Sequence, residues 1–113
     1  MIPYNDFRRL LTDAGECETL EQYIAEVGGS VPLDDVDEVI RTLTTIWGLA
    51  SDGLTIKSIS RALKIPVRQI SIQYGMAMRT VEQWSAGTRN PPEWMLPMVA
   101  YAVMSDVYGD VDG

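Results

Sequence analysis

The segment from Lys64 to Trp94, KIPVRQISIQYGMAMRTVEQWSAGTRNPPEW, constrains the fold of this chain more than any other. Its first part is predicted to be a short helix, because apolar residues recur at spacings of three and four. These residues are Val67, Ile70 and Tyr74. Pro66 fits the first turn, where a missing N–H group costs nothing. Gly75 is predicted to end the helix, since glycine is the usual residue in a left-handed C-terminal position.

A second helix is predicted from about Arg79 to Ala86 of the same segment. Val81 and Trp84 lie three apart and are expected to face the core. Gly87 is predicted to close the helix, and the Pro91–Pro92 pair prevents its continuation. The segment is therefore predicted to contain two short helices, the second of which cannot extend into the proline pair.

The spacing between the two helices indicates how they pack. Ser71, a small residue, precedes Gly75 by four positions, while Val81 and Trp84 follow it by six and nine. Two helices that cross at about 90–120° through a short turn need a small residue at the close approach and a glycine in the turn. They also need apolar residues beneath the second helix, and this segment supplies all three.

This pattern resembles the helix-turn-helix of the Cro/repressor-like (XRE-type) family. It is most similar to small bacterial and phage proteins with the segment RTVxxWxxGxRxPPxW. Here the chain has GMAMRTVEQWSAGTRNPPEW, so Met76-Ala77 replaces the Ile-Pro that this variant carries in its turn. The resemblance covers about residues 55–104 and implies an all-α fold, a helical bundle with a helix-turn-helix core.

The resemblance also implies how such a chain would contact DNA. In the family, the second helix of the pair enters the major groove and the helix before it lies over the phosphates. The residues expected to contact bases are Arg79, Thr80 and Gln83, and those expected to contact phosphates are Arg68, Gln69 and Arg89. Arginine can bind guanine bidentately and glutamine can bind adenine. Two other residues fit a DNA-binding face less well. Met78 would be an exposed apolar side chain, and the Glu82 carboxylate would repel phosphate.

The charge of the chain is unevenly distributed along its length. The net charge of −7 argues against nucleic-acid binding for the chain as a whole. Residues 1–54 contain three arginines and eleven acids, which gives −8, whereas residues 55–104 contain six cations and two acids, which gives +4. Residues 105–113 add −3. The basic part coincides with the predicted helix-turn-helix, as expected of a domain that meets phosphate, although six cations in fifty residues are also compatible with an ordinary surface.

Several classes of function lack the residues they need. The chain has no histidine and one cysteine, Cys17, so a zinc site, a Cys–His pair or a Ser–His–Asp triad is excluded. No phosphate-binding glycine motif occurs. We therefore expect no enzyme, no cofactor and no metal. The lone cysteine, the lack of a secretion signal and the lack of a long apolar run favour a cytoplasmic protein without a membrane span.

The N-terminal half is predicted to contain three helices. Asn5 or Asp6 is expected to cap a first helix of one to two turns, which Ala14-Gly15 breaks. Thr19 and Gln22 have the spacing of a capping box for the second helix. The third helix is expected to begin at an acidic run and to end near Ser51-Asp52-Gly53. Its predicted apolar face comprises Val36, Val39, Ile40, Leu43, Ile46, Trp47 and Ala50.

The acidic run itself has two interpretations. It comprises Asp34, Asp35, Asp37 and Glu38. Acids in a first turn favour the positive end of the helix dipole, so the run can simply be a solvated helix start. It can also be a face that meets a basic protein partner.

Two further helices complete the C-terminal half in this prediction. Thr55 is expected to cap a helix through Ile56, Ile59, Ala62 and Leu63. A closing helix is expected after the prolines, with an apolar face formed by Trp94, Met95, Met98, Val99, Ala102 and Val103, and an end near Asp106. The predicted organisation is an acidic helical segment at 1–53, a helix-turn-helix domain at 54–106 and a short acidic tail at 107–113.

Three hypotheses for function remain open. The first is a sequence-specific DNA-binding transcriptional regulator of bacterial, phage or mobile-element origin, acting as a homodimer on double-stranded DNA. The second is a protein-binding module on the same fold, antitoxin-like or anti-CRISPR-like, whose acidic face meets a basic nucleic-acid-binding partner. The third is a structural adaptor, because a fold alone does not fix a function.

Overall fold

The computed structural model describes residues 2–51 and 53–109. These residues form seven α-helices and one short 3-10 turn, with no strand, which confirms the predicted all-α class. The chain divides after Gly53 into two compact units, hereafter unit 1 and unit 2.

Unit 1 contains three helices: α1 (Tyr4–Glu16), α2 (Leu20–Val27) and α3 (Val36–Ala50), with a 3-10 turn at Gly28–Ser30. Its core is built from the apolar faces of all three helices. The Tyr23 hydroxyl lies inside this core and donates a hydrogen bond of 2.8 Å to the Leu10 carbonyl, which satisfies its polar end. The Tyr23 ring also packs against Trp47, with ring centroids 5.7 Å apart.

The first helix differs from its prediction at both ends. It is 13 residues long and begins after Pro3, with no side-chain cap from Asn5 or Asp6. Asp6 instead pairs with Arg9 at 3.2 Å. Gly15 lies within the last turn and does not break the helix, because the apolar face continues to Ala14, whose burial outweighs the modest cost of one glycine.

Two predicted helix starts in the N-terminal half are confirmed. The Gln22 N–H donates to Thr19 Oγ1 at 3.1 Å, although the Gln22 side chain accepts from the N–H of Glu18 and not from that of Thr19. The third helix begins at the acidic run and ends at Ala50, while Asp52 of its expected end lies outside the described residues.

The predicted apolar face of α3 is wrong at its N-terminal end. Val36 is 68% exposed and Ile40 is 43% exposed, whereas Leu43, Ile46 and Leu49 are buried. The apolar spacing of α3 extends into its first turn, but the side chains of α3 that are buried in the core begin about one turn later.

Unit 2 contains four helices: α4 (Ile56–Leu63), α5 (Val67–Gln73), α6 (Met78–Ala86) and α7 (Met95–Gly109). Helix α4 is the centre of this unit, since it contacts each of the other three. It begins with a confirmed Thr55 cap, in which the Ser58 N–H donates to Thr55 Oγ1 at 3.0 Å and the Thr55 N–H donates to Ser58 Oγ at 2.8 Å. The core of unit 2 comprises Ile56, Ile59, Leu63, Ile70, Val81, Ala100, Val103 and Met104.

The closing helix corrects two expectations. It continues to Gly109 and not only to Asp106, so residues 107–109 of the predicted tail are helical; residues 110–113 lie outside the described residues. Trp94 and Met98, which the sequence pattern places on its apolar face, are 63% and 52% exposed. The buried face of α7 includes Val103, as expected, together with Ala100 and Met104, which the prediction did not contain.

Candidate nucleic-acid interface

The connection between α5 and α6 is held by Ser71 and Gly75. Gly75 has φ +67°, in the left-handed region that glycine adopts without strain. Ser71 is 2% exposed, and its hydroxyl donates to the Met76 carbonyl at 2.7 Å. The Met76 N–H donates in turn to the Ser71 carbonyl at 2.9 Å. Ser71 therefore fixes the turn through two hydrogen bonds, a role that the sequence prediction attributed to its small size alone.

Helix α6 begins one residue earlier than predicted, at Met78, and ends at Ala86 as predicted. Gly87 follows with φ +77°. The N–H groups of Thr88 and Arg89 both donate to the Gln83 carbonyl, at 3.1 and 3.4 Å, and so satisfy an acceptor at the helix end. Arg89 is therefore held next to the C-terminal end of α6 by its own backbone hydrogen bond.

The predicted base-contacting residues share one side of α6. Arg79 and Gln83 are four residues apart, and Thr80 and Gln83 are three apart, so the three are neighbours on the helix surface. Arg79 is exposed, whereas Thr80 and Gln83 are half-buried. Glu82 is exposed and Met78 is half-buried, so a carboxylate and a thioether also lie on this short helix.

The predicted phosphate-contacting residues lie at the two outer ends of the α5–α6 pair. Arg68 and Gln69 are in the first turn of α5, and Arg89 follows α6; all three are exposed. Within the described part of the chain, the guanidinium groups of Arg68, Arg79 and Arg89 form no ion pair or hydrogen bond. Their charge is thus accessible to an anionic ligand.

Trp84 is less deeply buried than Val81, although the spacing predicts both residues in the core. Val81 is fully buried, whereas Trp84 is half-buried and lines a cleft of about 390 Å³ beside the start of α4 and the proline segment. The other lining residues are Leu54, Thr55, Ile56, Asn90, Pro91, Glu93, Leu96 and Pro97. The apolar period of α6 identified the correct side of the helix but not how deeply each residue is buried.

The end of α5 is joined to α7 by a polar cluster that the sequence did not indicate. Asp106 accepts hydrogen bonds from the Tyr74 hydroxyl and from Gln73 Nε2, the latter at 2.8 Å. Partial burial and the Asp106 carboxylate raise the pKa of Tyr74 above its ordinary value. No local motif could reveal this contact, because its partners are 32 and 33 residues apart in the chain.

The alternative acidic face lies around the start of α3 in unit 1. Asp34, Asp35, Asp37 and Glu38 are all exposed. Asp35 caps the helix, since its carboxylate accepts the Asp37 N–H at 2.9 Å. The exposed Val36 and Ile40 lie one turn apart among these acids, so the face combines carboxylates with an apolar strip.

No protein-family model matches this chain, and neither does any curated protein or solved structure. Among the residues that the structure describes, no three thiol or carboxylate side chains come together in a group that could hold a metal ion. Over the same residues, no helix is both long and apolar enough to cross a membrane.

Proposed function

We propose that the chain is a sequence-specific DNA-binding protein of helix-turn-helix type, a transcriptional regulator of bacterial, phage or mobile-element origin. In this proposal α6 enters the major groove, where Arg79, Thr80 and Gln83 contact base edges. Arg68, Gln69 and Arg89 contact the phosphates on either side. The fold class alone does not carry this function, since helical pairs of this kind also serve as protein-binding scaffolds.

The observation that carries the proposal is the placement of unpaired positive charge. Six of the nine cations lie in residues 54–109, against three carboxylates, so this part has a net charge of +3 in a chain of −7. Three of these cations, at 68, 79 and 89, are exposed on the α5–α6 pair and its exit. Neutralisation of phosphates by such side chains supplies most of the affinity of a protein for DNA.

The proposal is tested by selection from a pool of random duplex DNA at low and moderate salt, with the retained sequences read out. Against the selected site, Arg79→Ala and Gln83→Ala should each cost about 1–3 kcal/mol and relax the preference at one position. Arg68→Ala and Arg89→Ala should weaken binding to all sequences alike and each reduce the salt slope by about 1.

Arg61→Ala is the matched control, because Arg61 is an exposed arginine of α4 outside the predicted contact set. It should leave both affinity and sequence preference close to wild type. Absence of any retained DNA at low salt would reject the proposal. Full sequence preference in Arg79→Ala and Gln83→Ala would remove these residues from base recognition.

A second candidate function is supported by the acidic face of unit 1. Residues 10–40 contain nine carboxylates and no lysine or arginine, and the exposed Val36–Ile40 strip lies within this stretch. A face of this composition suits a basic, amphipathic protein segment, as in an antitoxin-like or anti-CRISPR-like inhibitor of a nucleic-acid-binding protein. Charge reversal on this face distinguishes the two functions, because it would abolish partner binding and leave DNA recognition intact.

A further inference from the structure

Unit 2 contains a cleft that the proposed DNA contacts do not use. It is the cleft beside Trp84, and its volume is about 390 Å³. Four segments form it: the start of α4, the last turn of α6, the proline segment and the first turn of α7. Sites for small ligands have volumes of about 300–1,000 Å³, and a cavity of about 150 Å³ already admits a benzene ring. The cleft therefore has room for one aromatic ring with a short chain.

The walls of the cleft are mostly apolar. Ile56 is buried, and the half-buried lining residues include Trp84, Pro91, Leu96 and Pro97. Proline has no N–H group, so the two prolines present ring carbons and no backbone donor. An apolar ligand body that enters the cleft is removed from water together with these walls, which favours binding.

Two polar side chains of the cleft are free to bind a ligand. Asn90 and Glu93 are exposed, and within the described part of the chain neither forms a hydrogen bond or an ion pair. Thr55, by contrast, is engaged in the cap of α4. Glu93 is the one charged residue among those that line the cleft; Lys57 and Arg89 adjoin lining residues in the chain but do not line it themselves. The charge that the cleft presents to a ligand is thus negative.

The Trp84 ring adds a second attraction for positive charge. Among aromatic side chains, tryptophan attracts cations most strongly, through the negative face of its ring. The same ring offers a flat apolar surface against which an aromatic ligand can pack. Because Trp84 and Glu93 line one cleft, they favour a ligand that is apolar at one end and cationic at the other. An anionic ligand of the same shape would be repelled by the Glu93 carboxylate.

We propose that this cleft binds a small aromatic amine, whose ring lies between the apolar walls beside Trp84 and whose ammonium group pairs with Glu93. The Asn90 side-chain oxygen accepts a second ammonium N–H, since an ammonium group has three donors. The proposal goes beyond DNA binding and is independent of it, because no residue that lines the cleft belongs to the predicted DNA contacts.

The test is titration of the ¹⁵N-labelled full chain, free of DNA, with 2-phenylethylamine at pH 7, followed through the indole N–H signals in NMR spectra. The chain has three tryptophans, and Trp84→Phe identifies the signal of Trp84. We expect this signal to move with a dissociation constant on the order of 1 mM, as for a ligand of this size. The signal of Trp47, which packs against Tyr23 in unit 1, should stay unchanged.

Two further probes separate the effect of charge from that of shape. 3-Phenyl-1-propanol is neutral and 3-phenylpropanoate is anionic, and both keep the ring and a chain of similar length. We expect the alcohol to bind more weakly than the amine and the carboxylate to bind most weakly. Glu93→Gln should weaken binding of the amine by about fivefold and leave that of the alcohol unchanged, because an exposed ion pair contributes little more than this.

Glu82→Gln is the matched control, because Glu82 is an exposed acid of α6 that does not line the cleft. It should bind the amine as the wild-type chain does. The proposal is overturned if the Trp84 signal does not move with the amine, if the amine and the carboxylate bind equally, or if Glu82→Gln and Glu93→Gln weaken binding alike. It is also overturned if the larger shift falls on Trp94, which lines a separate apolar groove between the end of α5 and the start of α7.

Discussion

At the scale of single residues, Lys64 occupies an unusual backbone conformation. It follows α4 with φ +58°, and no other non-glycine residue in the described part of the chain has a positive φ. A Cβ atom in this conformation crowds the following carbonyl group at a cost of about 1–2 kcal/mol. The cap is nevertheless formed, because the Ile65 N–H donates to the Ser60 carbonyl at 3.1 Å.

Replacement of Lys64 by glycine should therefore stabilise the protein. We expect Lys64→Gly to raise the free energy of unfolding by about 0.5–1 kcal/mol, after subtraction of the extra freedom that glycine has in the unfolded chain. The measurement is urea unfolding followed by circular dichroism. Lys64→Ala removes the same charge but keeps the Cβ atom, so it should show no such gain. Equal stability of the two variants would rule out the backbone as the cause.

At the scale of helices, the tie between α5 and α7 depends on a hydrogen bond from a phenol to a carboxylate. Helix α5 has only seven residues, and isolated helices of this length are unstable in water. Its C-terminal end is attached to α7 through Tyr74, Gln73 and Asp106. This attachment also positions one wall of the apolar groove, since Tyr74 lines it.

Removal of the Tyr74 hydroxyl should weaken this attachment. We expect Tyr74→Phe to lower the free energy of unfolding by about 1 kcal/mol at pH 7, less than a buried charged hydrogen bond because Asp106 is exposed. The pKa of Tyr74 is raised in the folded state, so its contribution is complete below the unfolded value of about 10 and is lost as the pH rises above it. The difference between wild type and Tyr74→Phe, from urea unfolding at pH 7 and above pH 10, should shrink accordingly. A pH-independent difference would show that the phenol proton is not involved.

At the scale of the whole chain, the two units differ in the sign of their net charge. Unit 1 has three arginines against eleven acids, while residues 54–109 have six cations against three acids. The same chain therefore offers one surface suited to an anion and another suited to a cation. The two proposed functions use different units, so substitutions in one unit can be tested without loss of the other.

Charge reversal at Asp34, Asp35 and Asp37 to lysine should abolish binding of a basic amphipathic helical peptide, measured by fluorescence anisotropy. Val36→Ser should weaken the same binding by about tenfold, since the apolar strip contributes as well as the charge. The control carries the same change in net charge on other exposed acids, Glu16, Glu18 and Glu21 to lysine. Equal loss of binding in this control would show that only net charge matters and would remove the acidic face as a specific site.

Local signals in the sequence predicted most helix ends correctly, although the expected cap at Asn5 or Asp6 and the expected break at Ala14-Gly15 were wrong. Capping by Thr19 and Thr55, the glycine ends of α5 and α6, and the stop before Pro91 all depend on residues close in the chain. The depth of burial was predicted less well. Val36, Trp84, Trp94 and Met98 follow an apolar period, yet all four are partly or largely exposed, because a period defines one side of a helix but not what packs against it.

In the candidate site, too, features set by nearby residues were predictable and features set by distant residues were not. The positions of Arg68, Arg79 and Arg89 on or beside short helices were predictable, because exposed cations follow from the helix register. The DNA contacts assigned to them remain predictions. The hydrogen bonds of Ser71 across the turn and the Gln73–Asp106 contact were not predictable, since the first needs the turn geometry and the second joins residues 33 apart.

The amino-acid sequence by itself thus determined the all-α class, the ends of most helices and the segregation of charge between the halves of the chain. These properties arise from interactions over a few residues or from composition. Only the tertiary structure decided that Trp94 and Met98 border an open apolar groove and that Asp106 closes one end of α5. Such features depend on which helix faces are covered by distant parts of the chain, and a one-dimensional pattern carries no record of that coverage.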